Sequence, residues 1–350
     1  MSHSRLHPLL GRPITITGLG TYVPEKVVTN DDLSASLETS DEWIRQRTGI
    51  GERRIAGPGV CASDLGILAA REALADAGLE PGAIDLVITP TISPDQLMPA
   101  TAARVAHGAG CDNAGAFDLS AGCAGFVFGL AMAAGQVASG VRDNVLVVGA
   151  EAISRIIDWE DRSTAILFGD GAGAAVVSAL PGGTVSSDGG AARLGILGFD
   201  LGGDGSGADS LSVPAGGSRM PASCETVQDR QHYLKMNGKE VYKFATRVVT
   251  KSAGAVLAKC GYAVEDIDLF VPHQANLRII EGAVDKLGLP WEKVYTNLQK
   301  YGNTSSASIP LCLKEARAEG RLKDGDLVLL MGFGAGLSWG ACLMRWGTGA

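Results

Sequence analysis

Aromatic side chains are scarce in this chain, only 5% of 350 residues, and histidine occurs just five times. No histidine falls in an HExxH pattern, which disfavours a catalytic zinc. The seven cysteines (positions 61, 111, 123, 224, 260, 312 and 342) are odd in number and never spaced as CxxC. That argues against a disulfide framework or a zinc ribbon and for reduced thiols, so the cytoplasm is the expected compartment. Lysine and arginine (30) fall short of aspartate and glutamate (38), and the net charge of −8 disfavours a general nucleic-acid binder without excluding a local basic patch. No apolar run reaches the roughly 20 residues of a membrane span. The polar residues 1–12 lack the apolar centre of a signal peptide and read as a loose extension. There is no GxxxxGK[ST] loop, and Gly18-Leu19-Gly20 is followed by Val23 where a dinucleotide fingerprint needs its third glycine.

What the chain has in quantity is glycine, 48 residues with no collagen-like period, together with an internal repeat. Ile84-Asp85-Leu86-Val87-Ile88 returns as Ile267-Asp268-Leu269-Phe270-Val271, and Asn144 to Gly149 returns as Leu327 to Gly332, both at an offset of 183. The helix-like stretch Ala70–Gly78 recurs as Ala253–Gly261 at the same offset. Short apolar runs separated by helical stretches predict buried parallel strands covered by helices on both faces. The expected architecture is α/β, in two similar halves over residues 13–186 and 187–350, with the glycine-rich stretch Gly182–Gly190 near the junction.

Three segments carry chemistry. Leu119-Ser120-Ala121-Gly122-Cys123-Ala124-Gly125-Phe126 reads as a strand–turn–helix elbow presenting a thiol at a helix start, where free N–H groups and the helix dipole favour a thiolate. Val271-Pro272-His273-Gln274-Ala275-Asn276 and Tyr301-Gly302-Asn303-Thr304-Ser305 supply a histidine and an asparagine, the polar partners a nucleophilic thiol needs. The repeat gives a reason for them to meet: Ser120 plus 183 is Asn303, so the two loops occupy equivalent places in the two halves. A pseudo-two-fold axis would turn them face to face. The remaining six cysteines, His107 and His232 lack such company and read as packing or surface residues.

These segments resemble β-ketoacyl-acyl-carrier-protein synthase III, a condensing enzyme of the thiolase superfamily. So do Thr39 to Ile44 with Arg47 to Ile50, Phe168 to Gly173 and Gly334 to Gly340, and the similarity runs from about Ile14 to Arg345. The resemblance implies a thiolase-like fold layered α-β-α-β-α, a homodimer, and no permanently bound cofactor. Coenzyme A thioester is then a substrate and malonyl-acyl carrier protein the second one. It makes Cys123 the acyl-accepting nucleophile, His273 and Asn303 the pair that handles decarboxylation, and the backbone N–H groups of Cys123 and Ala335 the oxyanion hole. Many relatives carry glycine at the Ala335 position.

By the same resemblance Trp43, Arg47, Arg162 and Asn276 hold coenzyme A; the alternatives are a Trp43 that packs a helix start and arginines that are surface salt-bridge partners. Met98 stands where relatives often place an aromatic residue that reaches from the dimer mate into the acyl pocket, though a core-filling role is open too. Lys243, Arg247 and Arg278 match a basic carrier-docking surface, with Lys239, Lys243 and Arg247 spaced on one helix face. Three readings remain open at this point. The chain primes fatty-acid or polyketide synthesis by decarboxylative condensation, moves the acyl group to a hydroxyl or amine, or is a non-catalytic partner of a carrier protein.

Overall fold

A computed structural model describes residues 11–180 and 194–347. Residues 1–10 of the expected extension, the Gly182–Gly190 stretch and the 186/187 boundary lie outside the described residues. Two sheets carry the fold. The first contains β1 (Ile14–Tyr22), β2 (Leu86–Pro90), β3 (Gly115–Leu119), β4 (Asn144–Glu151) and β5 (Gly171–Ala179), side by side in the order β1-β5-β4-β2-β3. The second contains β6 (Gly195–Gly203), β7 (Leu269–Pro272), β8 (Leu327–Gly334) and β9 (Ser338–Arg345), in the order β6-β9-β8-β7. Strands β2 and β8 are buried almost end to end, as their unbroken apolar runs require.

The expectation of parallel strands holds only in part. β2 runs parallel to β3 and β4, and β7 to β8, but β5 and β9 are antiparallel to their neighbours. For β9 the reason is the length of its link: residues 335–337 are too few for a crossover, so the chain must turn straight back. The corresponding link in the first half, residues 152–170, is far longer, and there the offset of 183 breaks down.

The helices that build the layers and the site are α1 (Asp41–Thr48), α2 (Ala62–Ala77), α3 (Thr101–Ala109), α4 (Gly125–Ala138), α5 (Gly238–Cys260), α6 (Leu277–Leu287) and α7 (Ser308–Ala318). Helices α4 and α7 start 183 residues apart, and so do the single turns that lead into them, Gly122–Ala124 and Ser305–Ala307. α4 carries no charged residue, and a helix apolar all round belongs in an interior. It lies with α7 between the sheets, where Phe126, Leu130 and Leu313 share one core with Val147 and Val177 of the first sheet and Val271 and Leu330 of the second. The far face of the first sheet is covered by α2 and α3, and that of the second by α5 and α6. The layers therefore run α-β-α-β-α.

Leu130 is fully buried at the centre of that middle layer. Leu130→Ala should cost about 2–5 kcal/mol by denaturant unfolding, and a loss well under 1 kcal/mol would contradict the central packing of α4.

Candidate active site

Cys123 sits in the turn between β3 and α4. Gly122 just before it has φ 55°, in the left-handed region that glycine tolerates and most residues do not. The turn runs directly into α4, whose first N–H groups have no side-chain cap. Opposite it lies the end of β8. A methyl group built on Gly334 would lie 2.6 Å from the Cys123 nitrogen, and one built on Gly122 would lie 2.6 Å from the Ala335 nitrogen. Glycine at both places lets two backbones touch, which sets the N–H groups of Cys123 and Ala335 beside the thiol. Ala335 itself is not in the left-handed region, so alanine is accommodated there, and the positive φ falls on Gly336 instead.

His273 follows β7. Its Nδ1 lies 2.7 Å from the Ser308 hydroxyl, and its ring meets Phe333 edge-on at 5.4 Å, leaving Nε2 for the interior. Asn303 follows a short helical turn, Leu298–Tyr301, and its Oδ1 accepts the Ser305 N–H at 2.8 Å. That bond fixes which end of the amide is which: Nδ2, a donor, is the free end. Backbone bonds from Asn303 to Leu167 and from Gly169 to Asn303 tie this loop to the first half. Ser308 can serve His273 in either tautomer. The Ser305 carbonyl it could donate to is already met by the Ser308 N–H, so the hydroxyl proton is free to turn to Nδ1.

Cys123, His273 and Asn303 all line one cavity of about 130 Å³, with Leu167, Phe168, Phe333 and Gly334 among its walls. All three are nearly closed to solvent, at 4%, 1% and 5% exposure. The three residues picked from distant segments are thus brought together.

Against this geometry the comparisons with known proteins are informative. Residues 117–205 and 257–346 match the models of 3-oxoacyl-[acyl-carrier-protein] synthase III and of its C-terminal part. A β-ketoacyl-[acyl-carrier-protein] synthase III of Symbiobacterium thermophilum is 54% identical over 96% of this chain and 99% of its own length. The chain belongs to the β-ketoacyl-[acyl-carrier-protein] synthase III family. The solved synthase III of Thermus thermophilus superposes with a TM-score of 0.85 at 49% identity, covering 96% of this chain and all of that one. A priming β-ketosynthase from the R1128 polyketide pathway superposes with a TM-score of 0.86 at 39% identity, over 96% of this chain and 97% of its own. The layering described above is the thiolase-type fold of these synthases.

The other residues expected for a synthase III fall into three groups. Trp43 lies on α1 with two guanidinium groups over its ring, Arg162 at 4.9 Å and Arg47 at 5.7 Å from its centre. It packs against a core cluster that includes Phe168 and Leu211, both of which line the cavity. Asn276 lines the cavity, caps α6 and donates to the Arg47 carbonyl, while Arg278 donates to the Gln46 carbonyl. Met98 is not brought to the site: it is 85% exposed and lines no part of this chain's cavity. Lys243 is held by Glu240, and Arg247 lines a separate surface hollow with Lys251, Asp204 and Trp339.

Burial works against the thiolate expected at Cys123: it pushes the thiol up to about 12, with a hydrogen bond from Ser305 opposing the rise. Burial likewise pushes His273 down to about 3. Both shifts favour the uncharged forms. Among the described residues no cation is counted against a thiolate here, and the helix start alone does not offset the loss of water. Ser305 and Ser308 went unassigned although they stand in the Asn303 motif, and the buried Glu151 gave no sign beyond closing an apolar strand.

Alkylation of Cys123 by iodoacetamide should therefore rise about tenfold per pH unit from pH 6 to 9 without levelling off. A plateau set by an apparent pKa near 7 would instead mean a resting thiolate–imidazolium pair.

Proposed function

We propose that this protein condenses an acyl group, taken from coenzyme A onto Cys123, with malonyl-acyl carrier protein to give a β-ketoacyl product, and so starts fatty-acid or polyketide synthesis. Family membership supports the overall reaction. The observation that carries the division of roles is the Asn303 amide, whose oxygen is occupied by the Ser305 N–H so that only a donor is offered to the cavity. Transfer of the acyl group to a hydroxyl or amine needs a base but has no use for a second fixed donor. An enolate oxygen has.

In the first half-reaction the thiol of Cys123 attacks the thioester carbonyl while His273 Nε2 takes its proton, with Nδ1–H held by the Ser308 oxygen. The N–H groups of Cys123 and Ala335 receive the oxyanion, and the coenzyme A thiolate leaves with the proton. The neutral resting pair suits this order, because charge forms only when substrate is present to share it. In the second, the malonyl carboxylate departs as carbon dioxide. The enolate oxygen is held by Asn303 Nδ2 and by His273 Nε2–H, the tautomer favoured when Ser308 donates to Nδ1. A donor of this kind is worth about 2.7–4 kcal/mol. The enolate carbon attacks the acyl carbonyl, and the Cys123 sulfur leaves and is reprotonated. Acyl-CoA, malonyl carrier and one proton thus give β-ketoacyl carrier, carbon dioxide and coenzyme A. No permanently bound cofactor is called for.

Trp43 offers its face to the adenine between Arg47 and Arg162, and the arginines bind ring and phosphate. Asn276 contacts the pantetheine arm beside them. Lys243, Arg247 and Arg278 form the docking face for the acidic carrier. Seven unpaired thiols support a reducing compartment, the cytoplasm, and no described helix is long and apolar enough to cross a membrane. The two similar units are residues 13–186 and 187–350, each holding one sheet. A homodimer is favoured by β3, an edge strand with Phe117 exposed, and by the exposed pair Leu97 and Met98. Met98 meets an acyl pocket only if a second copy supplies one.

Separating the half-reactions tests this account. Acyl-CoA should leave one acyl group on Cys123 and none on Cys123→Ala, by mass spectrometry. Asn303→Ala should keep acylation and lose about a hundredfold or more of malonyl decarboxylation. Paired reversal Arg247→Glu with Arg278→Glu should slow only the carrier-dependent step. Wild-type condensation by Asn303→Ala would overturn the assigned roles.

Sedimentation should give twice the 36.0 kDa chain mass, and Met98→Asp should shift it toward one. A monomeric wild type would remove the partner role of Met98.

A further inference from the structure

The second half has an elbow of its own. Ser305 has φ 47° where its counterpart Gly122 has φ 55°, and Ser306 stands 183 residues after Cys123. The residue opposite the first elbow is Gly334; its counterpart, 183 earlier, is Glu151. Where one half leaves space beside a thiol, the other fills it with a carboxyl against a serine.

Glu151 is fully buried at the end of β4. Its Oε2 receives the Ser93 hydroxyl at 2.6 Å, the Thr91 hydroxyl at 3.2 Å and the Ile92 N–H at 3.1 Å. Its Oε1 lies 2.8 Å from the Ser306 hydroxyl and 3.4 Å from the Ser306 N–H. Among the described residues no lysine or arginine weighs on it, and burial moves its proton affinity upward. The titratable group that would feel it across the site, were it ionised, is Cys123.

A proton on Glu151 fits the donors and acceptors around it. The Ser306 hydroxyl is 2.9 Å from the Pro90 carbonyl and 2.8 Å from Glu151 Oε1. The one hydroxyl proton cannot serve both oxygens; when it turns to the Pro90 carbonyl, a protonated Glu151 Oε1 keeps the second contact by donating to Ser306. Ser93 and Thr91 are each met by an N–H, from Ala152 and from Ser93, so their own protons are free for Oε2. Every partner is satisfied by a neutral acid protonated on Oε1.

The consequence concerns the loop that carries the donors. Ser305, a non-glycine residue in left-handed conformation, persists only where its surroundings over-determine it. Ser306 is the next residue, Asn303 bonds Ser305, and Ser308 holds His273. We infer that Glu151, as a neutral carboxylic acid, is a positioning residue that clamps Ser306 and thereby fixes Asn303 and Ser308 for the decarboxylating step. An ionised carboxylate in its place would oppose both the thiolate and the enolate. This inference rests on the condensation proposed above.

The test uses three proteins and two half-reactions. Glu151→Gln keeps a donor for Ser306 and an acceptor for Ser93, so its decarboxylation should stay within about threefold of wild type with an unaltered pH profile from 6 to 9. Glu151→Ala should lose decarboxylation by about a hundredfold or more, because both donors serve that step, and acylation by at least tenfold less, because only His273 serves it. A Glu151→Gln variant as damaged as Glu151→Ala would mean that the charge is required, and equal loss of both half-reactions in Glu151→Ala would mean a merely structural part. Either overturns the inference. Should Glu151→Ala fail to fold, infrared spectra decide: wild type at pH 7 should show the carbonyl stretch of a buried protonated acid that Glu151→Gln lacks, and its absence overturns the inference. Failure of wild type to form β-ketoacyl product would sink the proposed function and leave that band to be read on its own.

Discussion

At the centre of the molecule the chain is in contact with itself through two glycines. The turn that bears Cys123 lies so close to the end of β8 that a side-chain carbon on Gly122 or Gly334 would run into the opposing backbone. The contact sets the thiol beside the Cys123 and Ala335 N–H groups, and it fixes α4 and β8 relative to each other. The middle layer can form only if both sheets close on α4 and α7 at this spacing. Core packing and the geometry of the site are therefore one constraint, and the apolar run of α4 serves both.

Duplication supplies the frame and departures from it supply the chemistry. Both halves send a left-handed residue into a helix start, but one presents a thiol and the other a serine. The long link after β4 becomes a three-residue turn after β8, which brings Ala335 to the thiol. Opposite the thiol stands a glycine; opposite the serine stands Glu151. The site is made of one working elbow and one that no longer needs a nucleophile and instead carries the donors on Asn303 and, through Ser308, His273.

Much of this was legible in the sequence because apolar runs repeated at a fixed offset can be read without coordinates. Ile84–Ile88 and Ile267–Val271 announced equivalent strands, and the offset from Ser120 to Asn303 foretold that the two loops would face each other. The antiparallel course of β5 and β9 was not legible, since an apolar run carries no direction. Nor was the charge state of Cys123. A helix start and a nearby imidazole suggested a thiolate, but closure from water outweighs both, and closure depends on residues from four or more segments of chain. Met98 is placed at an acyl pocket by resemblance alone, as a residue reaching from a dimer mate, and on a single copy it lies at the surface. Glu151 and Ser308 were hidden for a simpler reason: their partners lie in other loops, and no spacing rule connects them.

The chemistry follows from a site that is neutral at rest and rich in fixed donors. In the proposed reaction charge develops first on a thioester oxygen and then on an enolate oxygen, and each is assigned its own pair of donors. The central claim is that the second event is the loss of carbon dioxide from a malonyl group, coupled to carbon–carbon bond formation at Cys123. Product accounting with carboxyl-labelled malonyl carrier tests it most directly. The account predicts equal amounts of coenzyme A, labelled carbon dioxide and β-ketoacyl carrier. Coenzyme A released without carbon dioxide, with the acyl group recovered as an ester or amide, would contradict it.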